Sequence, residues 1–158
     1  MGTMAWQEEL LNEVRQYLPA GNGRVHLAIL REPFASYVLE GSKTVESRFS
    51  TRRARPVGEI DEGDWLLIKT PSRPVIGVCR VSAVWHYSIT PESFTELLAP
   101  YASALRIDTS PFWKSRMISG YISLLRLSEP RRIPPIPCRK RDRRGWVTLA
   151  AAQPRSNL

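Results

Sequence analysis

Apolar residues recur at helical spacing near the start of the chain. Leu10, Leu11, Val14, Tyr17 and Leu18 fall on one side of WQEELLNEVRQYL, which predicts a helix over residues 6–18. Pro19, Gly21 and Gly23 end it. The pattern then changes. VHLAIL, Val25 to Leu30, is a continuous apolar run and predicts a buried strand. REPFASYVLEGS predicts a short helix with Pro33 in its first turn and Gly41 as a left-handed C-terminal cap. KTVESRF predicts a strand. Its alternation places Thr44, Glu46 and Arg48 on one face and Lys43, Val45, Ser47 and Phe49 on the other.

Further along, GDWLLIKTP predicts a turn followed by a strand, and SRP a tight connection. VIGVCRVSAVWHYSI predicts one long strand, in which Gly77 would ease a bend. TPESFTELLAPYASAL predicts a helix capped by Thr90 with Pro91 at its first position. SPFWKSRMI repeats that opening with Ser110 and Pro111. YISLLRLSEPRRI predicts a strand ended by the prolines of IPPIP, and GWVTL a closing strand. Strands and helices do not alternate as in a doubly wound sheet. The pattern predicts an α+β chain with a mixed or antiparallel sheet, closed into a small barrel, and helices packed outside.

A chain of 158 residues suits one domain with a sizeable core. The expected organisation is an N-terminal helix and linker over 1–23, a domain over 24–150 and a disordered tail over 151–158. No apolar run approaches the roughly 18 residues that cross a bilayer, and the start lacks a signal-peptide pattern, so a cytoplasmic protein with no membrane partner is expected. The two cysteines, Cys79 and Cys138, and the two histidines, His26 and His86, do not stand at zinc-like spacing. No metal site, cofactor or nucleophile triad is expected, and Cys79 in VIGVCRV reads as a small core residue.

Charge changes the picture most. Lys and Arg total 23 against 15 Asp and Glu, a net charge of +8. The surplus is clustered. Arg52, Arg53 and Arg55 follow the KTVESRF strand. Arg131, Arg132, Arg139, Lys140, Arg141, Arg143 and Arg144 stand against Asp142 alone. Such clusters favour a polyanionic partner, nucleic acid above all. The sequence leaves open whether the two clusters share a face.

The string Gly41-Ser42-Lys43-Thr44-Val45-Glu46-Ser47-Arg48 resembles the G-x-K-x-x-E-x-R signature of the ASCH domain, a branch of the PUA-like β-barrels. The strand-helix entry VHLAIL–REPFASYVLEG and the strands GDWLLIK and VIGVCRVSAV resemble that family's context. The resemblance covers roughly residues 24–150. It implies a PUA-like barrel with a cleft beside the motif, in which family members bind RNA or other nucleic acids. It also implies an alternative, because some branches are small hydrolases of a modified nucleoside and others have been described as ribonucleases. The branch that cleaves acylated cytidine carries a threonine three residues after its lysine. Here that position is Glu46, which cannot supply a hydroxyl.

The residues then sort by chemistry. Lys43, Thr44, Glu46 and Arg48 are expected to line the cleft, with Glu46 and Arg48 reading a base and Lys43 reaching a phosphate. An internal Glu46–Arg48 ion pair is the competing reading. Arg52, Arg53, Arg55, Lys69, Lys140, Arg141, Arg143 and Arg144 are expected to contact the backbone. If the protein is an enzyme, Lys43 and Glu46 are the candidate acid–base pair. Trp85, His86 and Tyr87 could stack bases at the end of the long strand, whereas Trp113, Tyr121 and Trp146 serve equally well in a core. The favoured partner is RNA or another single-stranded or modified nucleic acid, whose bases can be splayed into a cleft. A protein-interaction domain docking through the N-terminal helix is the third reading.

Overall fold

A computed structural model of the chain describes residues 2–19, 21, 23–51, 56–107 and 120–150. The elements run α1 (Gly2–Val14), β1 (Val25–Ile29), α2 (Phe34–Glu40), β2 (Val45–Ser50), β3 (Trp65–Lys69), β4 (Val75–Ile89), α3 (Pro91–Leu98), α4 (Ala102–Leu105), β5 (Gly120–Ile136) and β6 (Trp146–Ala150). The strands form one six-stranded sheet in the order β2-β5-β4-β3-β1-β6. Among the described residues only β1 and β3 are parallel, with Ile29 opposite Lys69, and every other neighbouring pair is antiparallel. The architecture is the expected α+β fold with a mixed sheet, curled into a half-barrel.

The curl follows from β4 and β5, which are long enough to pair with two sets of neighbours. The first half of β4 pairs with β3 and the second half faces the part of β5 that holds β2. Register shifts at Val75/Gly77, Val78/Arg80 and Val81/Ala83 bend the ribbon between those halves. Gly77 matters here for space. A Cβ at that position would run into the Leu39 side chain of α2 and the Arg131 carbonyl.

Alternation divides the apolar residues among three clusters. Ala28, Leu66, Ile68, Cys79, Val81 and Leu125 pack inside the curl with Ala35, Val38 and Leu39 of α2 and with Val57 and Ile60 of the loop after β2. Burial pushes the Cys79 thiol up to about 12, in keeping with a small core residue. Leu27, Leu67, Val78, Ile133 and Val147 pack outside, under Trp6, Leu10 and Val14 of α1. Val45, Ile122 and Leu124 pack outside under Phe94 and Leu98 of α3 and Leu105 of α4. Each fully buried aliphatic side chain contributes roughly 1.5–3 kcal/mol.

Several expectations shift. The strand after Gly41 starts at Val45, so Lys43 lies in the turn before it and alternation does not govern it. The expected helix from Pro91 is two helices joined by a 3-10 turn over Ala99–Tyr101, because Pro100 has no N–H to continue the ladder. The final long strand does not stop at the prolines. β5 continues through Pro130, Pro134 and Pro135 to Ile136. It has only β4 beside it there, since β2 ends its pairing opposite Arg126, and an edge tolerates residues without an N–H. The helix expected from SPFWKSRMI lies outside the described residues. Among the described residues no helix is long and apolar enough to cross a membrane.

Candidate functional site

Gly41 adopts φ 84° at the end of α2, and its N–H returns to the Val38 carbonyl at 3.1 Å. The chain therefore turns sharply and delivers Lys43 to the interior, only 2% exposed. Its Nζ donates to the Leu105 carbonyl at 2.6 Å, stands 3.7 Å from Glu46 Oε1 and lies 5.2 Å from the centre of the Phe34 ring. Burial holds the Lys43 ammonium below the usual lysine range, and the Glu46 carboxylate opposes that shift without reversing it. Glu46 is also buried. Its Oε1 accepts from the Ser47 N–H at 2.8 Å, and its Oε2 lies 3.6 Å from Arg48 Nη2. Lys43, Glu46 and Arg48 thus form one row of alternating charge.

The row is closed at one end and open at the other. α2 and α4 cover Lys43 through Phe34 and Leu105. Arg48 reaches across the gap between the two edges of the curled sheet. Its Nη2 donates to the Ile29 carbonyl at 3.0 Å and its Nη1 to the Gly145 carbonyl at 3.4 Å. Its guanidinium lies 5.5 Å from the centre of the Trp146 ring, while the buried Nε has no hydrogen-bond partner among the described residues. Trp146 in turn tilts against the fully buried His26 ring at 5.4 Å.

Beyond Arg48 the surface opens into a cavity of about 870 Å³ at the C-terminal ends of β1 and β3. Lys69 lines it from the end of β3. Lys140, Arg141, Arg143 and Arg144 line it from the segment between β5 and β6. Arg31, after β1, and Arg73, in the β3–β4 turn, complete the wall. Asp142 is the single acidic residue among the lining residues, and it is already engaged by Arg144 at 2.9 Å and Lys140 at 2.8 Å. The Arg144 and Lys140 hydrogen bonds hold its carboxyl below the usual carboxylate range. Arg31, Arg73, Arg141 and Arg143 are exposed.

The fold therefore brings together Arg48, Lys69, Lys140, Arg141, Arg143 and Arg144 from three distant parts of the sequence. Lys43 and Glu46 stand behind Arg48 and do not line this cavity. Thr44 is exposed, and its backbone pins the turn: its N–H donates to the Ala104 carbonyl at 3.0 Å and its carbonyl accepts from Leu127 at 2.8 Å. Arg52, Arg53 and Arg55 lie outside the described residues, as does Trp113. Trp85 and Tyr87 are half-buried against the cluster beneath α3. Sequence reasoning did not single out Arg31 or Arg73. The parallel pairing of β1 with β3 would have found them, because it sets Arg31 and Lys69 at the same end of the sheet.

A second polar group is wholly structural in its contacts. His26 Nε2 lies 2.7 Å from Asp64 Oδ2 and Nδ1 lies 2.9 Å from Thr148 Oγ1. Asp64 also accepts from the N–H groups of Arg24 and Asp61. Burial pushes the Asp64 carboxyl up, but these hydrogen bonds outweigh it and hold the group below its usual value. Among the described residues no cluster of His, Cys, Asp and Glu could hold a metal ion.

The class of protein is that of the ASCH domains. The ASCH domain family model matches residues 29–133, about two thirds of the chain, and the chain belongs to that family. Among solved structures, the S128A variant of ZmASCH from Zymomonas mobilis is 19% identical, with a TM-score of 0.57 over 74% of this chain and 76% of that one. The unsubstituted ASCH from Zymomonas mobilis is 20% identical, with a TM-score of 0.55 over 72% and 73%. The N-terminal domain of Staphylothermus marinus McrB is 18% identical over 73% of this chain and 77% of that one, with a TM-score of 0.45. No curated protein matches the chain.

Proposed function

We propose that this ASCH domain binds nucleic acid, with RNA or another single-stranded or modified strand as its target. The observation that carries the reading is the cavity beside Arg48, where eight Lys and Arg residues converge against one already paired aspartate. Such a concentration of uncompensated positive charge draws phosphates and releases their counterions. The exposed Arg31, Arg73, Arg141 and Arg143 suit successive backbone phosphates, since a guanidinium can fork onto two oxygens. The opening, at about 870 Å³, is large enough for a nucleotide, which favours a strand whose bases are free to leave the stack.

Polarisation titrations with short single-stranded RNA, repeated over a range of salt, test this. The affinity is expected to fall steeply as salt rises, and Arg141→Glu with Arg143→Glu to weaken binding further. A flat salt response, or unchanged binding by the charge-reversed protein, would sink the reading.

A further inference from the structure

We propose that the inner end of the cavity is a phosphomonoester site, in which Lys69 and Lys140 hold a terminal phosphate of a strand or of a mononucleotide. The inference deepens the nucleic-acid reading and rests on it. Two kinds of cation line the cavity. Arg31, Arg73, Arg141, Arg143 and Arg144, all exposed, stand at the rim. Lys69, 5% exposed, and Lys140, with a side chain 4% exposed, lie deeper.

Lys69 is the unusual one. It ends β3, where the register with β4 shifts between Ile68 and Lys69. Its Nζ donates to the Thr70 carbonyl at 3.0 Å and, among the described residues, has no carboxylate partner. An ammonium taken out of water is costly unless it is paired, so a buried lysine on the wall of an open cavity is poised for an anion that arrives from outside. Burial holds the Lys69 ammonium below the usual lysine range, and the charge of nearby Lys140 adds to that shift.

The charge count specifies which anion. Lys69, Lys140 and Arg144 carry three positive charges, and Asp142, shared by Lys140 and Arg144, carries one negative charge. A surplus of two remains where the buried Lys69 and Lys140 side chains meet the exposed Asp142 and Arg144. A phosphodiester brings one negative charge. A phosphomonoester brings about 1.5 to 2 at neutral pH and presents three acceptor oxygens. This group matches the monoester, and the other exposed arginines at the rim match the diesters that follow it.

The test compares one short single-stranded RNA made with a 5′-phosphate, a 3′-phosphate or hydroxyl ends, together with competition by a nucleoside monophosphate and by inorganic phosphate. One phosphorylated end is expected to bind about tenfold more tightly than the hydroxyl form, the gain of one good charge-assisted contact set. Lys69→Met should abolish the preference and Lys69→Arg should retain part of it. If Lys69→Met does not fold, Lys140→Met supplies the same comparison. Arg141→Ala should weaken all three RNAs alike. Equal affinity for the three RNAs overturns the proposal while leaving nucleic-acid binding intact. No RNA binding, with the monophosphate still bound and displaced by phosphate, overturns the nucleic-acid reading but supports the monoester site. Failure of all the ligands overturns both.

Discussion

Arg48 Nη2 donates to the Ile29 carbonyl at 3.0 Å, joining β2 to β1, although β5, β4 and β3 separate those strands in the sheet. The side chain therefore does work that strand pairing does not: it holds the two edges of the curl together beside the basic cavity. Arg48→Ala should destabilise the protein by about 2–4 kcal/mol, because it removes charge-assisted bonds and leaves Glu46 buried without that partner. Urea denaturation measures the loss. A change below about 0.5 kcal/mol would show that the edges are held without it.

Lys43 gives a pH dependence with a definite sign. Its folded pKa lies below the ordinary 10.5, so folding is penalised while the group is protonated. Between the folded value and 10.5 the unfolded chain binds more protons, and stability rises with pH. The stability of wild type relative to Lys43→Met should therefore increase as pH is raised toward 10.5. Paired denaturant melts at several pH values check this, and a difference that is constant or falls with pH contradicts it.

Asp64 works in the opposite range. Its folded pKa lies below 3.8, so its bonds to His26 and the Arg24 and Asp61 N–H groups add stability above that value. The contribution is lost as pH falls through the folded value. Asp64→Asn should be less stable than wild type at pH 6 and should close part of that gap under acid. Melts from pH 6 downward would show the convergence.

Gly77 and Leu39 form a steric pair. Gly77→Ala should cost about 1–3 kcal/mol, because its Cβ meets Leu39 and the Arg131 carbonyl. Leu39→Val frees part of that space, so the two changes together should cost less than their sum. A double-mutant cycle reads the coupling, and strict additivity would remove the pair as the cause.

The apolar face of α1 is part of the fold's energetics. Trp6, Leu10 and Val14 are buried against Leu27, Val78 and Val147. Leu10→Ala should cost about 2–4 kcal/mol, near the values for buried leucines elsewhere. A Tm unchanged by that substitution would show that the helix docks weakly.

Much of this molecule is local, and local features were legible. Gly41 caps α2 because only a residue without a Cβ takes φ 84° easily there, and Thr90 caps α3 through a reciprocal bond with Ser93. The long strand Val75–Ile89 followed from a run rich in strand-forming residues, with Gly77 near its start. The ASCH resemblance read from the sequence agrees with the family model over residues 29–133. By itself, then, the sequence determined the elements, the excess of positive charge and the family, because these depend on side-chain type and near-neighbour spacing. Tertiary structure decided the rest. It turned Lys43 inward beside Glu46, carried β5 past its prolines along an edge, and paired β1 parallel to β3. That pairing, together with the segment between β5 and β6, gathers Arg31, Arg48, Lys69, Arg73 and Lys140 around one cavity. Their meeting depends on contacts between residues up to about a hundred positions apart, which no local pattern encodes.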